Sequence, residues 1–229
     1  MIDLYTYRTS NGRKVSIMLE ECGLDYALHI VDITAGEQDT AVFRAINPNG
    51  RIPAIVDADG PDGMPLALFE SGAILLYLAQ KTGKLLPADE KDRWRAIQWL
   101  MWQMGGVGPM FGQAFHFRHQ HPEDAADTAL AYGTERYGGE VRRLCDVMNG
   151  RLAEAEYLAG GTYSVADIGT YPWIALHKWL GLDLAALPHL RRWYDAIKTR
   201  PAVQRGMDVP TRDQIEVHAQ TRQQGNNGE

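Results

Sequence analysis

The chain has 229 residues, 45% of them hydrophobic and 23% charged, an ordinary globular composition with room for one or two domains that each bury a core. A formal net charge of −6 disfavours nucleic acid or an anionic membrane as the main partner. No run of about 18 apolar residues could span a bilayer, the start MIDLYTYRTS does not read as a secretory signal, and the two cysteines, Cys22 and Cys145, form no C-x-x-C pair or disulfide framework, so the expected address is the cytoplasm.

Residues 2–7 read as a short strand. A helix follows from about Asn11, because Val15, Met18, Leu19 and Cys22 recur at i, i+3, i+4 and i+7, and Gly23 is a plausible stop. YALHIVD is a second strand, residues 37–45 a short helical stretch, PAIVD a third strand and PLALF a fourth, with the turn-rich DADGPDGM between the last two. Glu70–Thr82 is a helix with Ile74, Leu75 and Leu78 on its apolar face. TGKLLPAD is a linker, and beyond it only helical patterns recur, over 89–120, 124–155, 164–180 and 186–199. The expected layout is a domain over residues 1–83, an all-helical domain over 89–202 and a C-terminal extension over 203–229 whose polar end, TRQQGNNGE, should fray.

The order βαβαββα fits a thioredoxin-like α/β domain. Such a domain often carries a cysteine at the start of its first helix, where N–H groups and the helix dipole stabilise a thiolate. Here that place reads RTSNG, and Cys22 sits at the far end of the helix on its apolar face, where it reads as core. Any thiol chemistry then needs a sulfur from a ligand. In NPNGRIPAIV, Pro53 opens a strand without an N–H to give. A cis bond there would leave the N–H and C=O of Ile52 to pair with an extended cysteinyl peptide, although Pro53 could equally just shape a turn. In FESGA, Glu70 and Ser71 fall where a strand turns into a helix: the N–H groups and hydroxyl suit a carboxylate and Glu70 suits an amine, although helix capping explains the same residues. Both features together describe a peptide with an amino-acid head and a cysteine, which is the layout of glutathione.

Residues 1 to about 200 resemble the cytosolic glutathione transferases in NPNGRIPAIVD, FESGAILLYLA and GTYSVADIGTYPW. TSNGRKVSIMLEECGLDY, LFESGAILLYLAQKTGKLLP and QWLMWQMGGVGPMFGQ are similar in particular to the bacterial Nu class, whose members act mainly as glutathione-dependent disulfide-bond oxidoreductases; fungal nitrogen-regulator proteins share part of the pattern. The resemblance implies that Asn11 and Thr9 face the glutathione sulfur, that Gln38 and Arg51 lie at the ligand with Gln38 at its glycyl end, that Ile52 before a cis Pro53 pairs with the cysteinyl unit, that Glu70 and Ser71 hold the γ-glutamyl end, and that Arg136 reaches in from the helical domain. Arg8 and Ser10 depart from the family's neighbours of Thr9 and Asn11. The expected activity is glutathione-dependent disulfide reduction in a homodimer without a metal. Conjugation to electrophiles, peroxide reduction and a non-enzymatic glutathione-binding regulator are the alternatives.

Other features read as structural. Tyr5 and Tyr7 share a strand face opposite Thr6, and Tyr7 is the rival sulfur activator. His116, His119 and His121 lack a completing ligand at familiar metal spacing. Trp94 and Met101 read as core, Pro109 with Gly105, Gly106 and Gly108 as a helix perturbation, and Phe111, Phe115 and Phe117 as lining for a second substrate. Ser164 and Asp167 in YSVADI form a capping-box pattern, with Tyr163 and Ile168 as a staple. Arg142–Arg143 and Arg191–Arg192 read as solvated helix faces.

Overall fold

Strands β1 (Ile2–Thr6), β2 (Tyr26–Ile30), β3 (Ala54–Asp57) and β4 (Leu66–Phe69) form a sheet ordered β2-β1-β3-β4 in the computed structural model, which describes residues 1–226. β1 pairs parallel with β2 and antiparallel with β3, and β3 pairs antiparallel with β4. The parallel pair requires a crossover, which α1 (Ser10–Cys22) supplies. Thr9 caps this helix by accepting the Gly12 N–H, and Gly23 ends it in the left-handed region at φ 69°. A Cβ on Gly12 would collide with Thr6 Oγ1 and the Tyr7 carbonyl, so only glycine lets α1 start this close to β1. The stretch read as one helix over 37–45 is a 3₁₀ turn, Glu37–Asp39, followed by α2 (Ala41–Ile46). α3 (Ser71–Thr82) buries Ile74, Leu75 and Leu78 fully.

The second unit spans residues 79–200. The segment 89–120, read as one helix, is α4 (Glu90–Trp102) and α5 (Gly108–His119) joined by a π-helical turn, Gln103–Val107. The glycines here tolerate the changed backbone register, and Pro109 falls in the first turn of α5, where a missing N–H costs nothing. α6 (Asp127–Glu154), α7 (Val165–Ile174) and α8 (Pro188–Lys198) follow; α7 stops six residues short of its expected end and gives way to turns. The capping box is present: Ser164 and Asp167 satisfy each other's N–H groups. Asp167 also accepts from the Leu158 N–H at 3.0 Å and Trp193 Nε1 at 2.8 Å, tying α7 to α8.

Trp94 and Met101 are not core: they are 62% and 46% exposed. They lie seven residues apart on one face of α4, while the opposite face buries Ala96 and Leu100. Phe111 is core; Phe117 stacks on Tyr137 and covers Gly133, so it packs within the helical unit. Arg192 is more than a solvated charge, because it donates to the carbonyls of Leu152 at 2.8 Å and Ala155 at 2.9 Å at the end of α6.

The segment set apart as an extension is helical: α9 (Pro201–Met207) and α10 (Arg212–Asn226) belong with residues 1–78 in the first unit. A Cβ on Gly206 would strike the Ile17 backbone, and Ser16 Oγ donates to the Gly206 carbonyl at 2.6 Å. α9 therefore closes a second side of α1, which is why Ser16 and Ile17 are buried along with the apolar face. Of the end expected to fray, residues 221–226 are helical and residues 227–229 lie outside the described residues. Among the described residues no helix is long and apolar enough to cross a membrane.

Candidate functional site

Strand register gathers the first unit's candidates at one end of the sheet. Thr6 pairs with Ile30, Tyr5 with Ala54, and Ala54 with Phe69. The chain leaving β1, the chain leaving β2, the chain entering β3 and the chain leaving β4 therefore meet there. They carry Thr9–Asn11, Asp32–Gln38, Arg51–Pro53 and Glu70–Ser71 respectively.

Thr9 is half-buried, and its oxygen accepts the Gly12 N–H at 3.1 Å, which leaves its hydroxyl hydrogen to donate elsewhere. Asn11, half-buried in the first turn of α1, has an N–H without an intrahelical acceptor, and no described residue engages its carboxamide. Arg8, the departure from the family pattern, is explained by an ion pair with Asp208 at 3.0 Å beyond α9.

The Ile52–Pro53 bond is cis, and Pro53 is buried. Ile52 packs its side chain against Val31, Phe43 and Ala54, while its backbone groups bond no described residue. Buried Asn47 shapes the approach: its Nδ2 donates to the Arg51 carbonyl at 2.5 Å and its Oδ1 accepts the Asn49 N–H at 3.0 Å. Arg51 is exposed. Gln38 is half-buried, with Nε2 donating to Asp39 at 3.0 Å and Oε1 enclosed without a hydrogen-bond partner.

Glu70 is exposed and holds φ at 67°, a region that costs a non-glycine residue roughly 1–2 kcal/mol. Ser71 beside it is buried and accepts from Lys14 Nζ at 3.3 Å. Burial lowers the Lys14 ammonium to about 7, against the opposing pull of the Glu70 carboxylate. Nothing in the sequence pattern singled out Lys14, because its burial beside Ser71 depends on how α1 packs against the start of α3. Arg136 stands exposed on α6 of the second unit.

The rival tyrosines have other partners. Tyr5 stacks on His29 with ring centroids 4.5 Å apart. The Tyr7 hydroxyl faces Asp32 and Thr34, and burial followed by the Asp32 charge raises its pKa. Burial followed by the Asp3 charge raises the Tyr5 pKa as well, and both shifts oppose the acidity an activating tyrosine would use. Neither cysteine is accessible: Cys22 is 4% and Cys145 0% exposed, and burial pushes the Cys145 thiol up to about 12. Among the described residues no group of three or more His, Cys, Asp or Glu side chains could hold a metal ion, and His119 Nε2 lies instead 2.8 Å from the Trp179 carbonyl.

What this end of the sheet offers is a cysteine-free helix start with two donor side chains, a free edge of backbone at Ile52, and a hydroxyl and carboxylate at the start of α3. The model of the glutathione S-transferase N-terminal domain matches residues 10–81, and that of the C-terminal domain matches residues 110–201. Disulfide-bond oxidoreductase YfcG of Escherichia coli (strain K12) is 47% identical over 203 residues, covering 88% of this chain and 92% of the relative. A glutathione transferase from Burkholderia graminis, solved with two glutathione molecules bound per subunit, is 46% identical with a TM-score of 0.86, covering 92% of this chain and 89% of that one. A glutathione transferase from Pseudomonas putida, solved with one glutathione disulfide per subunit, is 40% identical with a TM-score of 0.84, covering 91% of each chain.

Proposed function

Because this chain belongs to the glutathione S-transferase family, we propose that it is a glutathione-dependent disulfide-bond reductase that uses no sulfur of its own. The observation that carries this reading is the start of α1, where Thr9 and Asn11 stand in the place of a reactive cysteine while both cysteines are buried elsewhere. The YfcG relative is named a disulfide-bond oxidoreductase, and the Burkholderia and Pseudomonas relatives hold two glutathiones and glutathione disulfide respectively, which supports a site for thiol–disulfide exchange.

In this reading the γ-glutamyl head lies at Glu70 and Ser71, with the ligand amine on the carboxylate and its carboxylate on the hydroxyl and the start of α3. Lys14 sits behind Ser71 as a further positive charge when protonated. The cysteinyl unit pairs with the Ile52 backbone, and the glycyl end lies toward Gln38 and Arg51. The sulfur then falls at Thr9 and Asn11. Lowering a thiol pKa by about two units requires about 2.7 kcal/mol. One or two hydrogen bonds to the thiolate, each roughly 1.5–3 kcal/mol, with about 0.3–1 kcal/mol from the helix start, suffice. The bound thiolate attacks a substrate disulfide; one substrate sulfur leaves as a thiol and the other forms a mixed disulfide with glutathione. A second glutathione thiolate then attacks that bond, releasing the second substrate thiol and glutathione disulfide. Two glutathiones are oxidised for each disulfide reduced, and no metal takes part.

A homodimer belongs to the same proposal, supported by the exposed Trp94 and Met101 on one face of α4; sedimentation of the wild type against Trp94→Glu tests it. So does a cytoplasmic address, where glutathione is supplied. The activity is tested by paired assays: reduction of a small disulfide coupled to glutathione reductase, and conjugation of glutathione to an aromatic halide. Strong disulfide turnover with weak conjugation is expected. The reverse result would make the protein an ordinary transferase, and glutathione binding without either turnover would make it a regulator.

A further inference from the structure

The segment between β2 and α2, which carries Gln38, is held from two sides. From within, the Asp32 N–H donates to the Glu37 carboxylate at 2.7 Å, and the Asp32 carboxylate accepts the Thr34 N–H at 2.9 Å and the Thr34 hydroxyl at 2.6 Å. From the far end of the chain, α10 lays two side chains on the same acids. His218 Nε2 lies 2.9 Å from each Glu37 carboxylate oxygen, and the Arg222 guanidinium donates to Asp32 at 2.9 Å and to Glu37 at 3.4 Å. His218 and Arg222 are four residues apart and so share one face of α10. Asp32 is 5% exposed, and two carboxylates this close and this poorly solvated need answering donors. α10 supplies both. The Tyr7 hydroxyl faces the same group through Asp32 and Thr34. Glu37 opens the turn Glu37–Asp39, so whatever anchors Glu37 also sets where Gln38 stands.

We propose that α10 is a positioning element for the glycyl end of bound glutathione, with His218 and Arg222 acting through Glu37 and Asp32 on Gln38. The inference rests on the glutathione reading above and adds a device that lies outside the residues expected to touch the ligand. Both side chains are positioning residues. They shape the loop, and their loss is felt only by the part of the peptide that the loop meets. A merely structural role for α10 would weaken every thiol substrate alike; a role at the glycyl end discriminates between glutathione and γ-glutamylcysteine, which lacks the glycine.

The test uses the full-length chain as wild type, as His218→Gln with Arg222→Gln, and as Arg222→Lys, which retains a cation. Disulfide turnover is measured with glutathione and with γ-glutamylcysteine as the thiol. The double variant is expected to raise KM for glutathione about three- to tenfold with kcat held within about twofold, to leave KM for γ-glutamylcysteine unchanged, and to be largely relieved in Arg222→Lys. An unchanged KM for glutathione, or an equal loss with both thiols, overturns the proposal while leaving the reductase reading intact. A wild-type chain that neither turns over nor binds glutathione in calorimetry overturns both.

Discussion

The Thr9 hydroxyl accepts the Gly12 N–H at 3.1 Å, so one oxygen caps α1 and still has a hydrogen to give. Thr9→Val removes both functions. It should lower stability by about 1 kcal/mol and shift the pH–rate profile for disulfide turnover to higher pH, while Thr9→Ser keeps both near wild type. Denaturant midpoints and pH–rate profiles separate the two effects. A valine variant that loses stability but keeps its profile would confine Thr9 to capping.

The Asn11 carboxamide hydrogen-bonds no described residue, which makes it a clean probe of the proposed sulfur site. Asn11→Ala should raise the pKa of bound glutathione by about one unit, read as thiolate absorbance against pH. An unshifted titration would remove the residue from the mechanism.

Cys22→Ala with Cys145→Ala should keep disulfide turnover within about twofold per folded molecule and cost about 1 kcal/mol of stability, because both side chains are fully packed. Abolished turnover in a folded double variant would place a protein thiol in the reaction.

Lys14 has a lowered pKa of about 7 in the folded chain against 10.5 for the free group, because burial outweighs the attraction of Glu70. Below about 7 both folded and unfolded states carry the proton, so the cost of the buried charge is fully present. Between about 7 and 10.5 the unfolded chain binds more protons, so this group makes stability rise with pH. Lys14→Met should therefore be favoured over wild type most at about pH 6.5, with the difference shrinking by about pH 9.5 in urea unfolding. A difference independent of pH would mean that Lys14 keeps an ordinary ammonium.

Asp167 is completely buried, and burial raises its pKa against the four donors that face it: the N–H groups of Leu158 and Ser164, the Ser164 hydroxyl and Trp193 Nε1. Asp167→Asn turns an amide donor toward those donors and should cost about 2–4 kcal/mol in thermal or urea unfolding, with glutathione affinity unchanged in the molecules that remain folded. A variant of wild-type stability that binds glutathione poorly would reverse the structural reading of YSVADI.

The elements of the first domain were legible because period and punctuation are local. The alternation around Thr6, the face made by Val15, Met18, Leu19 and Cys22, and the stop at Gly23 each lie within a few residues of chain. Periodicity marks stripes on a helix but does not say which stripe is covered, and for that reason Trp94 and Met101 were misread. The polar composition of the last segment argued for fraying. It could not reveal that α9 would pack on α1 through Gly206, or that α10 would reach acids more than 180 residues earlier.

By itself the sequence determined which groups are available: no cysteine at the start of α1, a proline at Pro53, capping residues at Thr9 and Ser164, and a carboxylate–hydroxyl pair at Glu70 and Ser71. Only the tertiary structure decided which of them meet. Strand register brings the chain near Thr6, Ile30, Ala54 and Phe69 to one end of the sheet, and helix packing puts Lys14 behind Ser71 and α10 against Glu37. Register and helix docking are set by burial summed over the whole unit, and a sum of that kind leaves no mark on any short stretch of sequence.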